Sequence, residues 1–213
     1  MVADHPQESR PSRVIRTEAV DGRERYQLLT SLVVPRPIGW VSTRSTDGVP
    51  NLAPFSFFSA VASSPMLVSL SIGKRGGVVE DSLRNILDQR AFCVNVVTEP
   101  QLEAMNRTAA DLPPDGNEFD FAGLSVAEAE TVDAPYVAEC PAVLECELYK
   151  EVDLGEAGGL VLGEVKGVRL DPELPVVEGS AFVDSEGLRP VGRLWGSAYS
   201  LLGEVRVVPR PEP

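Results

Sequence analysis

Three stretches of the chain bring together small hydroxyl side chains, irregular backbone and positive charge: Pro35 to Thr43, Asn51 to Ser59, and Ser71 to Ser82. The hydroxyls of Ser42, Thr43, Ser56 and Ser82, the charges of Arg36, Lys74 and Arg75, and the free N–H groups of a helix opening near Asp81 are what a phosphate needs. Ordinary turns carrying surface charges use the same residue types, so these stretches alone leave both readings open. Neither Gly-x-x-x-x-Gly-Lys-Ser/Thr nor Gly-x-Gly-x-x-Gly occurs, which leaves P-loop and Rossmann sites without support.

Histidine supplies the sharpest exclusion. The only one, His5, lies in a polar tail ahead of any patterned segment. A Ser-His-Asp or Cys-His pair, a His-Glu-x-x-His zinc site and a His-containing deaminase site all need an ordered imidazole. An enzyme built from this chain therefore leaves the difficult chemistry to a cofactor. Cys93, Cys140 and Cys146 are odd in number and lack Cys-x-x-Cys spacing, so they read as reduced thiols. Cys93 and Cys146 are expected to fill strand positions.

The 213 residues are 43% hydrophobic and 24% charged, the profile of one globular domain with a sizeable core. A formal charge of −13 repels phosphate backbones and anionic headgroups, so nucleic acid is not an expected partner. The apolar runs are strand-sized, well short of the roughly 20 residues of a membrane span, and no leader pattern opens the chain. The expectation is a cytoplasmic protein with no membrane partner.

These residues need strands to position them. Residues 1–22 lack apolar periodicity and read as a flexible N-terminal segment. Residues 23–200 form the expected domain, with a tail over 201–213. Two prolines introduce a strand from Ile38 to Thr43, Asp47-Gly48 turns it, and Val49 to Phe58 returns. Pro50 and Pro54 mark that return as an edge or an irregular path. Val68, Leu70 and Ile72 alternate with Ser69 and Ser71, as in a half-buried strand. Gly73 to Gly77 is a basic loop, and Asp81 opens a short amphipathic helix. Ala91 to Val97 reads as a buried strand, and Thr98 to Thr108 as a capped short helix. Residues 117–141 read as irregular. Leu144 to Val152 and Leu160 to Val168 form a second hairpin. The two aromatics of Arg193 to Tyr199 suggest a tail that packs back.

On these residues the chain resembles the flavin reductase-like proteins, which include flavoredoxin. The likeness lies in Pro35-Arg36-Pro37-Ile38-Gly39-Trp40-Val41-Ser42-Thr43, in Asn51-Leu52-Ala53-Pro54-Phe55-Ser56-Phe57-Phe58, and in Asp81-Ser82-Leu83-Arg84-Asn85-Ile86. It continues through Phe92-Cys93-Val94-Asn95-Val96, Glu118-Phe119-Asp120 and Leu162-Gly163-Glu164-Val165, and covers roughly Tyr26 to Tyr199. Ser82 keeps the hydroxyl of the family's usual Thr.

The resemblance implies a mainly β fold with short helices, the FMN-binding split β-barrel, working as a homodimer whose second subunit completes each pocket. It places Ser42 and Thr43 beside the flavin and Pro54, Phe55 and Ser56 along the isoalloxazine and ribityl chain. Ser71 to Arg75, Gly73 included, would complete the wall, with Lys74 or Arg75 and Ser82 on the phosphate. Trp40 either stacks near the ring or fills the barrel, and Phe55, Phe57 and Phe58 either pack in the core or face the flavin. Arg36 reaches the phosphate or the dimer partner, and Arg193 with Tyr199 closes the site from the tail. The implied activity passes hydride from NADH or NADPH to FMN and electrons onward to a small-molecule or protein acceptor. An FMN-binding electron carrier or sensor is the alternative, and a barrel holding a deazaflavin or haem is a third.

Overall fold

The structure, a computed structural model, describes residues 12–75, 77–112 and 116–211. His5, Gly76 and the Pro113-Pro114-Asp115 turn lie outside them, and Arg75 is described by its main chain alone. A seven-stranded antiparallel sheet dominates, in the order β3-β2-β8-β11-β12-β5-β4. Its strands are β2 (Gly39–Arg44), β3 (Pro50–Phe55), β4 (Phe58–Ser63), β5 (Met66–Ile72), β8 (Ala91–Val96), β11 (Ala142–Asp153) and β12 (Gly159–Leu170). The short β1 (Arg36–Pro37), β13 (Gly192–Arg193) and β14 (Tyr199–Ser200) form a second sheet. β6 (Lys74–Arg75) pairs β7 (Val78–Val79), and β9 (Val126–Glu128) pairs β10 (Pro135–Val137).

Among the described residues five α-helices accompany the sheet: α1 (Gly22–Leu32), α2 (Asp81–Gln89), α3 (Leu102–Arg107), α4 (Glu118–Ala122) and α5 (Ser185–Leu188). Three of the expected elements differ; in one, Thr98 provides no side-chain cap and a 3₁₀ turn over Glu99–Gln101 precedes α3. Asp21 and Glu24 close a reciprocal capping box that starts α1 at the boundary of the expected N-terminal segment. Residues 117–141, expected to be irregular, contain α4, β9 and β10. Asn117 caps α4 by accepting from the N–H groups of Phe119 and Asp120.

Successive residues of β2 and β8 enter different cores. Trp40 and Cys93 join Leu52, Phe119 and Val137 on one side, while Val41 and Val94 join Leu70, Ile86 and Phe92 on the other. Burial on both faces explains why these strands read as continuous apolar runs. The sheet curls on itself at Gly39, where a Cβ would lie 2.8 Å from Leu70 Cδ2 and 3.1 Å from Phe58 Cγ. Only a residue without a side chain lets β2 approach the far strands so closely. Gly163 does the same for the Phe92 ring, whose Cζ would meet a Cβ at 2.3 Å.

The alternation expected from Val68 to Ile72 is present, with those three apolar residues buried and Ser69 and Ser71 partly exposed. All three cysteines are free and buried. Burial raises every one of these thiols, Cys140 to about 12 and Cys93 and Cys146 further still. Among the described residues no helix is long and apolar enough to cross a membrane.

Two buried polar side chains fasten the β9–β10 layer to the sheet. Asn95 donates to Trp40 O at 2.8 Å and to Ser42 Oγ at 3.0 Å, and accepts from Val137 N at 2.8 Å. Glu145 accepts from Glu130 N, Thr131 N and Thr131 Oγ1 at 3.1, 2.7 and 2.6 Å. Burial pushes the Glu145 carboxyl up, but the Thr131 and Glu130 donors and the Arg169 charge outweigh it and hold it below its usual value. Its stabilising contribution is therefore present above about 4.5 and lost as pH falls through the lower folded value. Glu145→Gln should cost roughly 2 kcal/mol in urea denaturation at pH 7. The gap from wild type should narrow at pH 3, and a constant gap would disprove the charge-dependent role.

Candidate functional site

The sheet ends at β3, and the site lies along that edge. Leu52 N donates to Glu118 Oε2 at 3.2 Å, away from β2. Strand geometry turns alternate N–H groups the same way, so the missing donors of Pro50 and Pro54 also fall on the outer side. The prolines thus leave the β2 ladder intact and deny a further strand its partners.

Two contiguous clefts follow. The first, of about 200 Å³, is lined by Asn51, Ala53, Pro54 and Phe55 of β3, by Glu80, Asp81 and Ser82 at the start of α2, and by Thr108 to Leu112 and Glu118. The second, of about 220 Å³, shares Pro54 and Ala109 and adds Tyr26, Ile38, Ser56, Asn106, Arg193 and Tyr199. Each is smaller than the roughly 300–1,000 Å³ of pockets that enclose a ligand. The trough they form is open.

One end of the first cleft is built to donate hydrogen bonds. Asn51 Nδ2 reaches Ser82 Oγ at 2.9 Å and Thr43 Oγ1 at 3.4 Å, and Asn85 Nδ2 donates to Thr43 Oγ1 at 3.1 Å. No side chain caps α2, whose first-turn N–H groups open beside Ser82. Such a terminus and its hydroxyl fit a phosphate. Pro54, Phe55, Ala109 and Ala110 supply apolar surface for a flat ring alongside. The donor set and the apolar wall fit a phosphate-bearing planar group such as FMN.

Several sequence-predicted residues are elsewhere. Trp40 is fully buried and fills the core, its Nε1 donating to Thr108 Oγ1 at 2.9 Å, so it supports the cleft through Thr108. Ser42 is equally buried, its hydroxyl donating to Pro135 O at 2.6 Å and accepting from Asn95, which leaves its side chain nothing to offer a ligand. Thr43 is buried one step behind Ser82. Arg36 does not face the phosphate end. Its guanidinium is enclosed by Thr30 O, Val33 O and Leu194 O at 2.7, 2.8 and 2.7 Å.

Of the three phenylalanines Phe55 lines the first cleft, Phe58 packs on the core, and Phe57 lies half-exposed under Arg36. Pro54 and Ser82 line the first cleft, and Ser56 the second. Ser71 and Gly73 lie at the end of β5, where Gly158 passes so close that a Cβ there would meet Ile72 O at 2.1 Å. Lys74 and Arg75 form the β6 strand of the hairpin that leads into α2. Lys74 is not among the described residues lining either cleft.

Sequence reasoning overlooked Asn51 and Thr108 as cleft residues, and Glu118 above all. Burial raises the Glu118 carboxyl, and the nearby Asp81 charge raises it further, against hydrogen bonds from its own and the Leu52 N–H. Only its place after a turn, opposite an edge strand with a free donor, hinted at this role.

The fold and site define a flavin reductase-like protein. Residues 31–179 match the flavin reductase like domain, and the chain belongs to that family. An uncharacterized protein of Aquifex aeolicus is 39% identical over 84% of this chain and 90% of its own. Nitrilotriacetate monooxygenase component B from Bacillus cereus superposes with a TM-score of 0.88 at 33% identity, over 94% of this chain and all of that one. The 2-nitrobenzoate 2-nitroreductase of Pseudomonas fluorescens gives 0.84 at 29%, over 93% and 96%. The architecture is the split barrel of flavin reductases.

The raised Glu118 value has a testable sign. The protonated form favours the fold, so that stabilisation is complete below about 4.5 and lost as pH rises through the folded value. Glu118→Gln keeps an acceptor for Leu52 N without the charge. It should melt at or above the wild-type temperature at pH 7, and the two should converge below pH 4. A variant that melts several degrees lower at pH 7 would show that the carboxylate is needed charged.

Proposed function

We propose that the protein is an FMN-dependent oxidoreductase that takes electrons from NADH or NADPH and passes them to a small-molecule or protein acceptor. The observation that carries this reading is the open trough on β3, with the uncapped α2 terminus, Ser82 and Asn51 at one end and apolar walls beyond. FMN, when bound, supplies the hydride-accepting chemistry. The chain's own work is to hold the phosphate at α2, to support the ring between β3 and Ala109-Ala110, and to leave one side open for a second substrate. Lys74, on the hairpin entering α2, adds positive charge on the phosphate side of this reading.

The trough is shallow on a single subunit, and a second copy of the chain supplies the rest. Exposed apolar residues support that assignment. Leu29, Leu32 and Val33 of α1 and its end, with Phe57, Val61 and Met66 at and around the other edge strand, β4, are all between 39% and 78% exposed. An apolar hollow lined by Leu29, Val33, Phe57 and Phe58 shares Ser56 with the second cleft. Patches of this kind on a soluble fold mark interfaces.

An absorbance spectrum of the purified protein with added FMN, followed by anaerobic NADH and NADPH, tests the activity. Bound flavin whose bands bleach with either nicotinamide is the expected result. Bands that persist with both nicotinamides but bleach with dithionite would make the protein an electron carrier, and failure to retain FMN would remove the cofactor assignment.

Sedimentation velocity tests the dimer. The wild type should run at twice 22.9 kDa, and Leu32→Glu with Val61→Glu should give monomers that retain FMN at least tenfold less tightly. A wild-type monomer with full FMN affinity would exclude a shared site.

A further inference from the structure

We infer that the second cleft binds an anionic group of the second substrate, a carboxylate or a phosphate, with Arg193 as its contact and Arg36 as the charge behind it. The inference rests on the flavin reading of the first cleft. Arg36 and Arg193 stand opposite each other in the β1–β13 pair. The Arg36 side chain is buried, 5% exposed, and its donors end on three carbonyls and on Ser56 Oγ at 3.4 Å, all neutral. The Arg193 guanidinium lies 4.4 Å from the centre of the Tyr199 ring and donates to Gly196 O. Tyr199 is itself fixed by its hydroxyl, which donates to Asn106 Oδ1 at 2.9 Å.

Among the described residues no carboxylate lies within 4 Å of either guanidinium, although Arg44, Arg84, Arg169 and Arg189 each have one. Burial lowers the Arg36 guanidinium from its ordinary value, Tyr26 partly offsets that, and the charge of Arg193 lowers it again. Two adjacent like charges with only neutral partners are a standing electrostatic cost. A bound anion removes that cost.

The trough is polar along its length as a result. Glu80, Asp81, Asp111 and Glu118 line the first cleft, whereas no carboxylate lines the second. In a chain of net charge −13, the second cleft is lined by a cation, Arg193, and by no carboxylate, which favours an anion there. Tyr26, Asn106 and Ser56 add polar groups around the same opening, and Pro54 and Ala109 carry its apolar floor into the first cleft. A planar substrate with an anionic tail matches this combination. Benzoate presents the carboxylate form of that chemistry and ADP the phosphate form.

Isothermal titration of the FMN-loaded and the FMN-free protein with benzoate and with ADP decides the matter. At least one should bind the FMN-loaded wild type, and Arg193→Gln should weaken it about tenfold or more, the loss of a charge-assisted hydrogen bond. Arg193→Lys should recover part of that loss, which excludes a folding defect. Preference for benzoate identifies a carboxylate-bearing acceptor, and preference for ADP a dinucleotide donor.

Equal binding to wild type and Arg193→Gln overturns the proposal. So does a wild type that retains FMN but binds neither probe. A drop in FMN affinity in Arg193→Gln with riboflavin affinity unchanged would reassign Arg193 to the cofactor phosphate and also overturn it. If FMN itself does not bind, the flavin reading falls, and the titration of the FMN-free protein still decides whether Arg193 holds an anion.

Discussion

The outward-facing edge of β3 is the constraint on which the site depends. Pro50 and Pro54 have no N–H to present there, and the remaining donor of Leu52 is held by Glu118. A sheet that cannot extend leaves a groove along its last strand, and helix α2 and the segment after α3 close that groove on two sides. The same residues that stop strand addition therefore create the trough. Much of its apolar lining is proline and alanine, Ala53, Pro54, Ala109 and Ala110, whose small side chains leave the space open.

Behind the edge lies a layer that receives no ligand but fixes the geometry of those that do. Trp40, Thr108, Asn95 and Ser42 form a chain of buried hydrogen bonds from the core to the β10 strand. In low dielectric each such bond is expensive to leave unmade, so the set specifies one arrangement of the strands beneath the cleft. Thr108 is the point where this network surfaces, since it lines the first cleft. Precision at the open trough comes from polar groups that are themselves closed off.

Much of the barrel was legible in the sequence because its strands carry local signals. The Val68 to Ile72 alternation, the Asp47-Gly48 turn and the long second hairpin correspond to β5, the β2–β3 connection and β11–β12. The capping box at Asp21 and Glu24 was equally local and pointed to α1, but the polar composition around it masked the helix. Site residues were harder. β2 is buried on both faces, so its pattern gives no sign of which hydroxyls face a ligand, and Ser42 and Thr43 read as exposed chemistry while the fold makes them internal. Thr108, Asp111 and Glu118 meet β3 only through tertiary packing, and nothing in their spacing announces that approach. The family resemblance pointed to strands that border the trough without distinguishing their inward from their outward atoms.

The three cysteines give the molecule a further property. Each thiol is held in its neutral form by apolar surroundings, well above the pH at which a thiolate forms, and none lies in either cleft. Oxidation and alkylation proceed through the thiolate. An oxidant arriving at the open trough therefore meets no cysteine thiolate.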